Sequence, residues 1–195
     1  MHRYVTRTLA AVGTALLTAP DLASAEVLMT PDQAIVRMLP GTKSVRIVRI
    51  RPTAAAADSI ARGRRWRPEP GVEHKFYVGR DATGLELPGA VYIHGHVGKH
   101  GPIHLAVGLD SSGMVHDLAV MSYIEQRGRP VKEPKYLRQY IGKGVGDPVE
   151  LGNDIVGISG ATFSSTAVTN LVRQAVDLYA YYLAPRATAG AATTP

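Results

Sequence analysis

The sequence predicts an α+β domain, in which an antiparallel meander sheet has helices packed on it, including a long C-terminal helix. Strand-like runs cluster in the middle of the chain with turn residues between them, whereas helical patterns lie toward both ends. The chain has 195 residues, of which 45% are hydrophobic and 19% are charged. This composition is enough for one compact domain with a buried core.

The first 25 residues have the features of an export signal. A basic start is followed by the apolar run Leu9–Leu17 and then by Ala23-Ser24-Ala25, a small-residue pattern that signal peptidase reads. The apolar run is shorter than the roughly 20 residues that a spanning helix needs. The sequence therefore predicts a signal peptide over residues 1–25, cleaved after Ala25, and a periplasmic mature protein. An uncut membrane anchor is the alternative.

The region 26–71 is predicted to contain a helix, a strand and a basic loop. A Thr-Pro-Asp-Gln start with a capping-box spacing predicts a helix over residues 30–39. Alternating Val/Ile and Arg over residues 45–51 predict an exposed or edge strand. An alanine-rich helix is expected over residues 54–61, and residues 62–68 form the basic loop.

Residues 72–183 are predicted to form the main domain. The Ala/Thr/Pro tail over residues 184–195 has nothing to bury and is predicted to be disordered. A short helix is expected over residues 133–141. The four predicted strands of the meander are 73–79, 90–97, 103–109 and 114–123.

The C-terminal helix has the clearest periodicity in the chain. Its apolar residues fall on one helical face and its polar residues fall on the opposite face, which predicts one buried and one solvated side. The apolar set is Val168, Leu171, Val172, Ala175, Leu178, Tyr179 and Tyr182. The polar set is Thr169, Asn170, Arg173, Gln174 and Asp177.

Composition also excludes several functions. The chain has no cysteine, which removes disulfide scaffolds, thiolate metal sites and cysteine nucleophiles. The formal net charge of +6 does not indicate a nucleic-acid partner, because an exported protein does not meet nucleic acid. Acidic lipids, acidic proteins or a phosphorylated ligand fit this charge instead.

The segment before the C-terminal helix is the candidate site. Gly160 and Ala161 remove side-chain bulk beside hydroxyl residues, so a ligand or modifying enzyme can approach the backbone closely. Ser164 or Ser165 is the expected N-cap of the helix. The first turn of a helix offers backbone N–H groups and the positive end of the dipole, which suit a phosphate. An ordinary serine-capped loop is the alternative.

The motif Ser159-Gly160-Ala161-Thr162, followed by Ser164-Ser165 and an amphipathic helix, resembles the flavin-attachment signature of the FMN-binding domain family. Its relatives include subunits of the sodium-translocating NADH:quinone reductase and of the Rnf complex. The resemblance covers roughly residues 72–183. It extends upstream through residues 98–103, 109–115, 123–128 and 136–143.

This resemblance implies FMN carried as a phosphoester on Thr162 and placed there by a separate flavin transferase. The protein is then an electron carrier rather than an independent enzyme, with membrane quinone or cytochrome systems as partners. Glu125 and Lys143 are expected near the flavin or its phosphate. Family motifs usually carry an Asp three residues before the Ser, but Val156 stands there and the nearest acid is Asp154. Covalent attachment is expected nonetheless, with non-covalent FMN as the alternative.

Three other constellations predict different functions. Gly157-Ile158-Ser159-Gly160-Ala161 nearly matches a nucleophile elbow, but no His follows Ser159, so a serine hydrolase is not indicated. A basic loop around Trp66 suggests an adaptor that docks a partner. A hairpin dense in histidine suggests a periplasmic metal-binding module. Its candidate ligands are His94, His96, His100 and His104.

Overall fold

The computed structural model describes residues 26–62, 64, 66–97, 101–124 and 129–184. Its centre is one antiparallel six-stranded sheet with the spatial order β1-β6-β5-β4-β3-β2. The strands are β1 (Glu26–Val27), β2 (Ser44–Ile50), β3 (His74–Arg80), β4 (Ala90–Val97), β5 (Pro102–Leu109) and β6 (Val115–Tyr123). The predicted meander is therefore confirmed. The two-residue strand β1, which pairs with the end of β6, is too short to give a sequence signal.

The helices are α1 (Pro31–Met38), α2 (Ala54–Ala61), α3 (Pro134–Leu137) and α4 (Thr162–Tyr182). Short 3₁₀ turns at Arg129–Lys132 and Arg138–Tyr140 flank α3. The capping box of α1 is present: Thr30 accepts from the Gln33 N–H at 3.3 Å, and the Gln33 side chain accepts from the Thr30 N–H at 2.9 Å. Together with the sheet, these helices confirm the α+β class.

The sheet carries an apolar core on each face. Alternate residues of its strands point to opposite faces, so β4 sends Val91 to one core and Tyr92 to the other. Helix α1 covers the face of the sheet that carries Val91, Ala106 and Met121. Helix α4 lies on the Tyr92 face across β4 and β5, and α2 packs on α4. Burial on both faces explains why the central strands contain long apolar runs.

Helix α4 is buried on nearly every side, and the predicted solvated face is wrong. Thr169, Arg173, Gln174 and Asp177 are all buried, with Arg173 9% and Asp177 4% exposed. The polar side chains of α4 bond to the segments around the helix: Thr169 to Tyr140, Gln174 to Tyr92 of β4, Arg173 to the Val149 carbonyl and Asp177 to Arg64. The amphipathic spacing of α4 therefore separates a face with apolar contacts from residues that make buried polar contacts.

Two predicted segments lie outside the described residues: the signal peptide over residues 1–25 and all but the first residue of the tail, 185–195. Both stay predictions. Within the described ranges, no helix combines the length and the apolar content needed to span a bilayer.

Candidate functional site

Thr162 is the first residue of α4, and its side chain is exposed. The N-cap residue is Ala161, which has no side chain able to accept from the first turn. Gly160 has φ +76°, a left-handed conformation that favours glycine, and the Ala161 N–H then donates to the Ile158 carbonyl at 3.0 Å. A tight turn therefore delivers the chain to α4 with the Thr162 side chain on the surface.

The prediction that Ser164 or Ser165 caps α4 is wrong. The helix begins earlier, at Thr162, so these serines lie inside its first turn and are 1% and 0% exposed. The Ser165 hydroxyl instead accepts from the Ile158 N–H at 3.1 Å. Ser165 thus fastens the approaching loop to the helix from within, while Ser159 and Gly160 remain exposed.

A side-chain amide holds the loop from the other side. The Val156 N–H donates to Gln139 Oε1 at 2.9 Å, and Gln139 Nε2 donates to the Val156 carbonyl at 3.2 Å. This pair of bonds copies the pattern of one β-sheet step, so it fixes the backbone of Val156 while its side chain stays 75% exposed. The position where the family usually has Asp therefore points into solvent.

The nearest acid, Asp154, serves a different purpose. Its carboxylate forms an ion pair with Lys143 Nζ at 2.8 Å and accepts from the backbone N–H groups of Glu150 at 2.7 Å and Val149 at 3.2 Å. Partial burial disfavours the ionised form, but the Lys143 ammonium and these N–H groups outweigh it and lower the pKa of Asp154. Asp154 therefore stabilises the turn at residues 149–150.

Val149 is the anchor of that turn. It is fully buried and has φ +46°, an unfavourable conformation for a β-branched residue. Arg173 of α4 donates to its carbonyl from Nε at 3.1 Å and from Nη2 at 2.6 Å. The buried guanidinium of Arg173 thus holds Val149 in its strained conformation. This role explains why a charged side chain lies between α4 and the loop that covers it.

A chain of hydroxyl groups supports the first turns of α4. The hydroxyls of Tyr136 and Tyr140 lie 2.8 Å apart, and the Tyr140 hydroxyl lies 2.8 Å from Thr169 Oγ1, which donates to the Ser165 carbonyl at 2.8 Å. Burial, followed by the neighbouring Tyr136, raises the pKa of Tyr140, so its hydroxyl stays protonated. These hydrogen bonds therefore fix the first turns of α4, where Thr162 lies.

The structure brings most of the predicted site residues together. Ser159, Gly160 and Ala161 form the turn that leads into Thr162, and Ser164 and Ser165 lie buried in the first turn of α4. Lys143 is placed in the ion pair with Asp154. Glu125 lies outside the described residues and stays a prediction.

Sequence reasoning missed Gln139, Tyr140 and Phe163. Gln139 and Tyr140 lie in the segment 136–143 that carried the family resemblance, but their contacts depend on the fold. Phe163 follows Thr162 and is 65% exposed, a high value for a large aromatic side chain. An aromatic residue next to the attachment motif was the signal available for it.

The structure separates His104 from the other described histidines of the predicted hairpin. His94 and His96 share the sheet face covered by α4, but His104 pairs across the strands with Gly95 and therefore lies on the opposite face. There it is 3.0 Å from the Ser122 hydroxyl. His100 lies outside the described residues, and among the described ones no group of three or more His, Asp or Glu side chains is placed to hold a metal.

The basic loop around Trp66 is largely engaged within the fold. Arg64 bonds to Asp177 of α4 and donates to the Val145 and Asp147 carbonyls at 2.9 Å each. Burial raises the pKa of Asp177, and Arg64 and Arg173 oppose that effect. Trp66 packs against the core. Arg62 and Arg67 remain on the surface, where they bond to Ser59 and Asp58, and Arg65 lies outside the described residues.

Fold and site define an α+β domain that presents an exposed threonine at the start of a buried helix, a position suited to a phosphate-bearing group. Residues 98–177 match the model of the FMN-binding domain family, which agrees with the resemblance seen in the sequence. The chain is also 29% identical over 154 residues to the G subunit of the ion-translocating oxidoreductase complex of Methanosarcina acetivorans. That similarity covers 76% of this chain and 81% of the relative.

Proposed function

We propose that this protein is an exported electron-transfer subunit that carries FMN on Thr162 through a phosphoester bond. The observation that carries the proposal is the exposed Thr162 side chain at the start of α4, inside the segment that matches the FMN-binding domain family. A hydroxyl buried among aliphatic side chains would not be open to esterification. Thr162 satisfies the requirement of access.

The residues around Thr162 fit a phosphoester. The phosphate keeps a negative charge after esterification, and the N-terminal end of a 21-residue helix with no side-chain cap stabilises that charge. A Cβ placed on Gly160 would meet no atom within 4 Å, so the approach to the turn is open. The flavin, when bound, supplies the redox chemistry. The chain's own residues hold its phosphate and fix its position.

Attachment requires a separate flavin transferase that accepts this loop without the usual Asp. Val156 occupies that position and Asp154 is committed to Lys143 and the turn at Val149. The loop backbone is nevertheless held by Gln139 and Ser165, so its shape does not depend on the missing carboxylate. We infer that the transferase reads the turn through its backbone and its Ser-Gly-Ala-Thr side chains.

The partners follow from the relative, whose name describes part of an ion-translocating oxidoreductase complex. We propose that this chain likewise belongs to a membrane redox complex and passes electrons between partners such as a quinone or cytochrome system. It then has no substrate of its own. The signal-peptide pattern over residues 1–25 supports placement in the periplasm.

Intact mass and visible absorbance of the protein isolated from its own host test this proposal. The wild type is expected to show a flavin absorbance band and an FMN-sized mass increment that survives denaturation. Thr162→Ala removes the increment, while the neighbouring exposed Ser159→Ala retains it. A colourless protein without the increment, made where a flavin transferase is active, contradicts the proposal.

A further inference from the structure

One face of α4 leads from the candidate attachment point into the interior. Residues three and four apart share a helix face, so Phe163, Thr166, Asn170 and Gln174 lie in one row. The first two are exposed, Asn170 is partly buried and Gln174 is buried. This row therefore begins on the surface beside Thr162 and ends in the core above β4.

Three histidines lie beneath that row. His96 Nε2 is 3.5 Å from the Asn170 side-chain nitrogen, so the outer part of the row faces the end of β4. His94, two residues earlier on the same face, is half-buried, and its ring centroid lies 5.0 Å from that of His74 on β3. These residues form a histidine column, His96–His94–His74, running from the surface inward.

The inner end of the histidine column holds an unsatisfied acceptor. The Tyr92 hydroxyl donates to Gln174 Oε1 at 3.2 Å, so His74 Nδ1, 2.9 Å away, is the group that donates to Tyr92. In a neutral ring, Nε2 is then an acceptor, and it is buried without a hydrogen-bond partner. His74 is 3% exposed. A polar interior of this kind is costly for folding alone and suits a site that faces a polar ligand.

We propose that the row from Phe163 to Asn170, with the histidine column beneath it, is the binding face for the isoalloxazine ring of a flavin held at Thr162. This inference rests on the proposed function and adds where the ring lies. Asn170 is eight residues beyond Thr162, about 12 Å along the helix, a separation comparable to the length of a ribityl phosphate and its ring. A ring laid along α4 meets an aromatic side chain first and histidines next.

The chemistry of the row matches the two sides of an isoalloxazine. Its flat aromatic surface packs on a ring such as Phe163, which is 65% exposed and has no covering element among the described residues. Its pyrimidine edge carries carbonyl oxygens and ring nitrogens, which require donors and acceptors. Imidazoles and the Asn170 amide supply both.

The experiment uses the full chain isolated from its host, with loading checked by intact mass. Phe163→Ala and His96→Asn are the test variants. Tyr182→Ala, an exposed aromatic at the other end of α4, and His116→Asn, on the opposite sheet face beside Met38, are the matched controls. The readout is the visible circular dichroism of the flavin per loaded protein, which a freely moving ring does not show.

Each test variant is expected to keep the mass increment and to lose at least half of the visible circular dichroism, while both controls match the wild type. The imidazole resonances of His94 and His96 should also shift between wild type and unloaded Thr162→Ala, whereas those of His116 should not. A loaded wild type with no such resonance shift, or loaded variants with unchanged dichroism, overturns the ring placement alone. A wild type without the mass increment overturns the proposed function and the ring placement with it.

Discussion

Acid should destabilise this protein through His74, and the size of the effect can be worked out from its surroundings. Burial, followed by the neighbouring His94, lowers the pKa of His74 from 6.5 to about 4. His74 is therefore protonated near pH 6.5 in the unfolded chain but only near pH 4 in the folded protein. Stability from this group is fully present above pH 6.5 and is lost as the pH falls toward 4.

The loss is large for a single group. With these two pKa values, linkage gives a fall in the free energy of unfolding of about 2 kcal/mol between pH 7 and pH 5, and of about 3 kcal/mol once His74 is protonated in both states. His74→Gln removes the titrating group and keeps a side chain able to donate to Tyr92. The readout for this variant is how its free energy of unfolding changes with pH, and not its absolute stability.

Urea unfolding at pH 7 and pH 5 provides the assay, because the difference between wild type and variant cancels the other titrating groups. We expect the stability of the wild type to fall by about 2 kcal/mol more than that of His74→Gln over this interval. The control is His116→Gln, which alters an exposed histidine on the other sheet face. Equal pH dependence in wild type and His74→Gln would refute the reasoning.

Three further predictions concern the loop and the core. Lys143→Met removes the ion-pair partner of Asp154, so the pKa of that carboxyl should rise, as measured by NMR titration. The free energy of unfolding at pH 7 should fall by about 1–3 kcal/mol in urea unfolding. Gln139→Ala removes both bonds to the Val156 backbone, so amide exchange at Val156 should quicken by about tenfold or more; an unchanged rate would show that the clamp does not hold the loop. Leu171→Ala, at a fully buried position in α4, should lower the unfolding free energy by about 2–5 kcal/mol in the same urea assay, and a change under about 1 kcal/mol would contradict the packing described.

The strands and the N-terminal helices were predictable because their signals are local. Alternation and turn residues mark β2 to β6, and the capping box at Thr30 fixes the start of α1 through contacts only three residues apart. These elements therefore agree with the sequence to within a few residues. The α+β class follows from their order along the chain.

The environment of α4 was not predictable in the same way. A helix with polar residues opposite an apolar face is normally solvated there, but Arg173 and Asp177 meet partners far away in sequence, at Val149 and Arg64. Such pairings depend on how the loops fold over the helix. Local spacing contains no information about them.

The turn before α4 lies where the sequence indicated, but its serines have other roles than the predicted one. Serine is a favoured N-cap, so the spacing pointed to Ser164 or Ser165, yet Gly160 turns the chain early and Ala161 becomes the cap. The placement of His104 beside His94 and His96 was wrong for a similar reason. Strand register, which places His104 opposite Gly95, decides the face of the sheet on which each side chain lies.

The bond at Thr162 is the central claim, and fragmentation of one peptide tests it most directly. Trypsin cleaves after Lys143 and Arg173, which releases residues 144–173 with Thr162 and all three neighbouring serines of the motif on one peptide. Tandem mass spectrometry of this peptide from host-produced protein should assign the FMN-sized increment to every fragment that contains Thr162 and to none that stops at Ala161. An increment on Ser159, Ser164 or Ser165, or a peptide that carries no flavin despite an active transferase, would contradict the account.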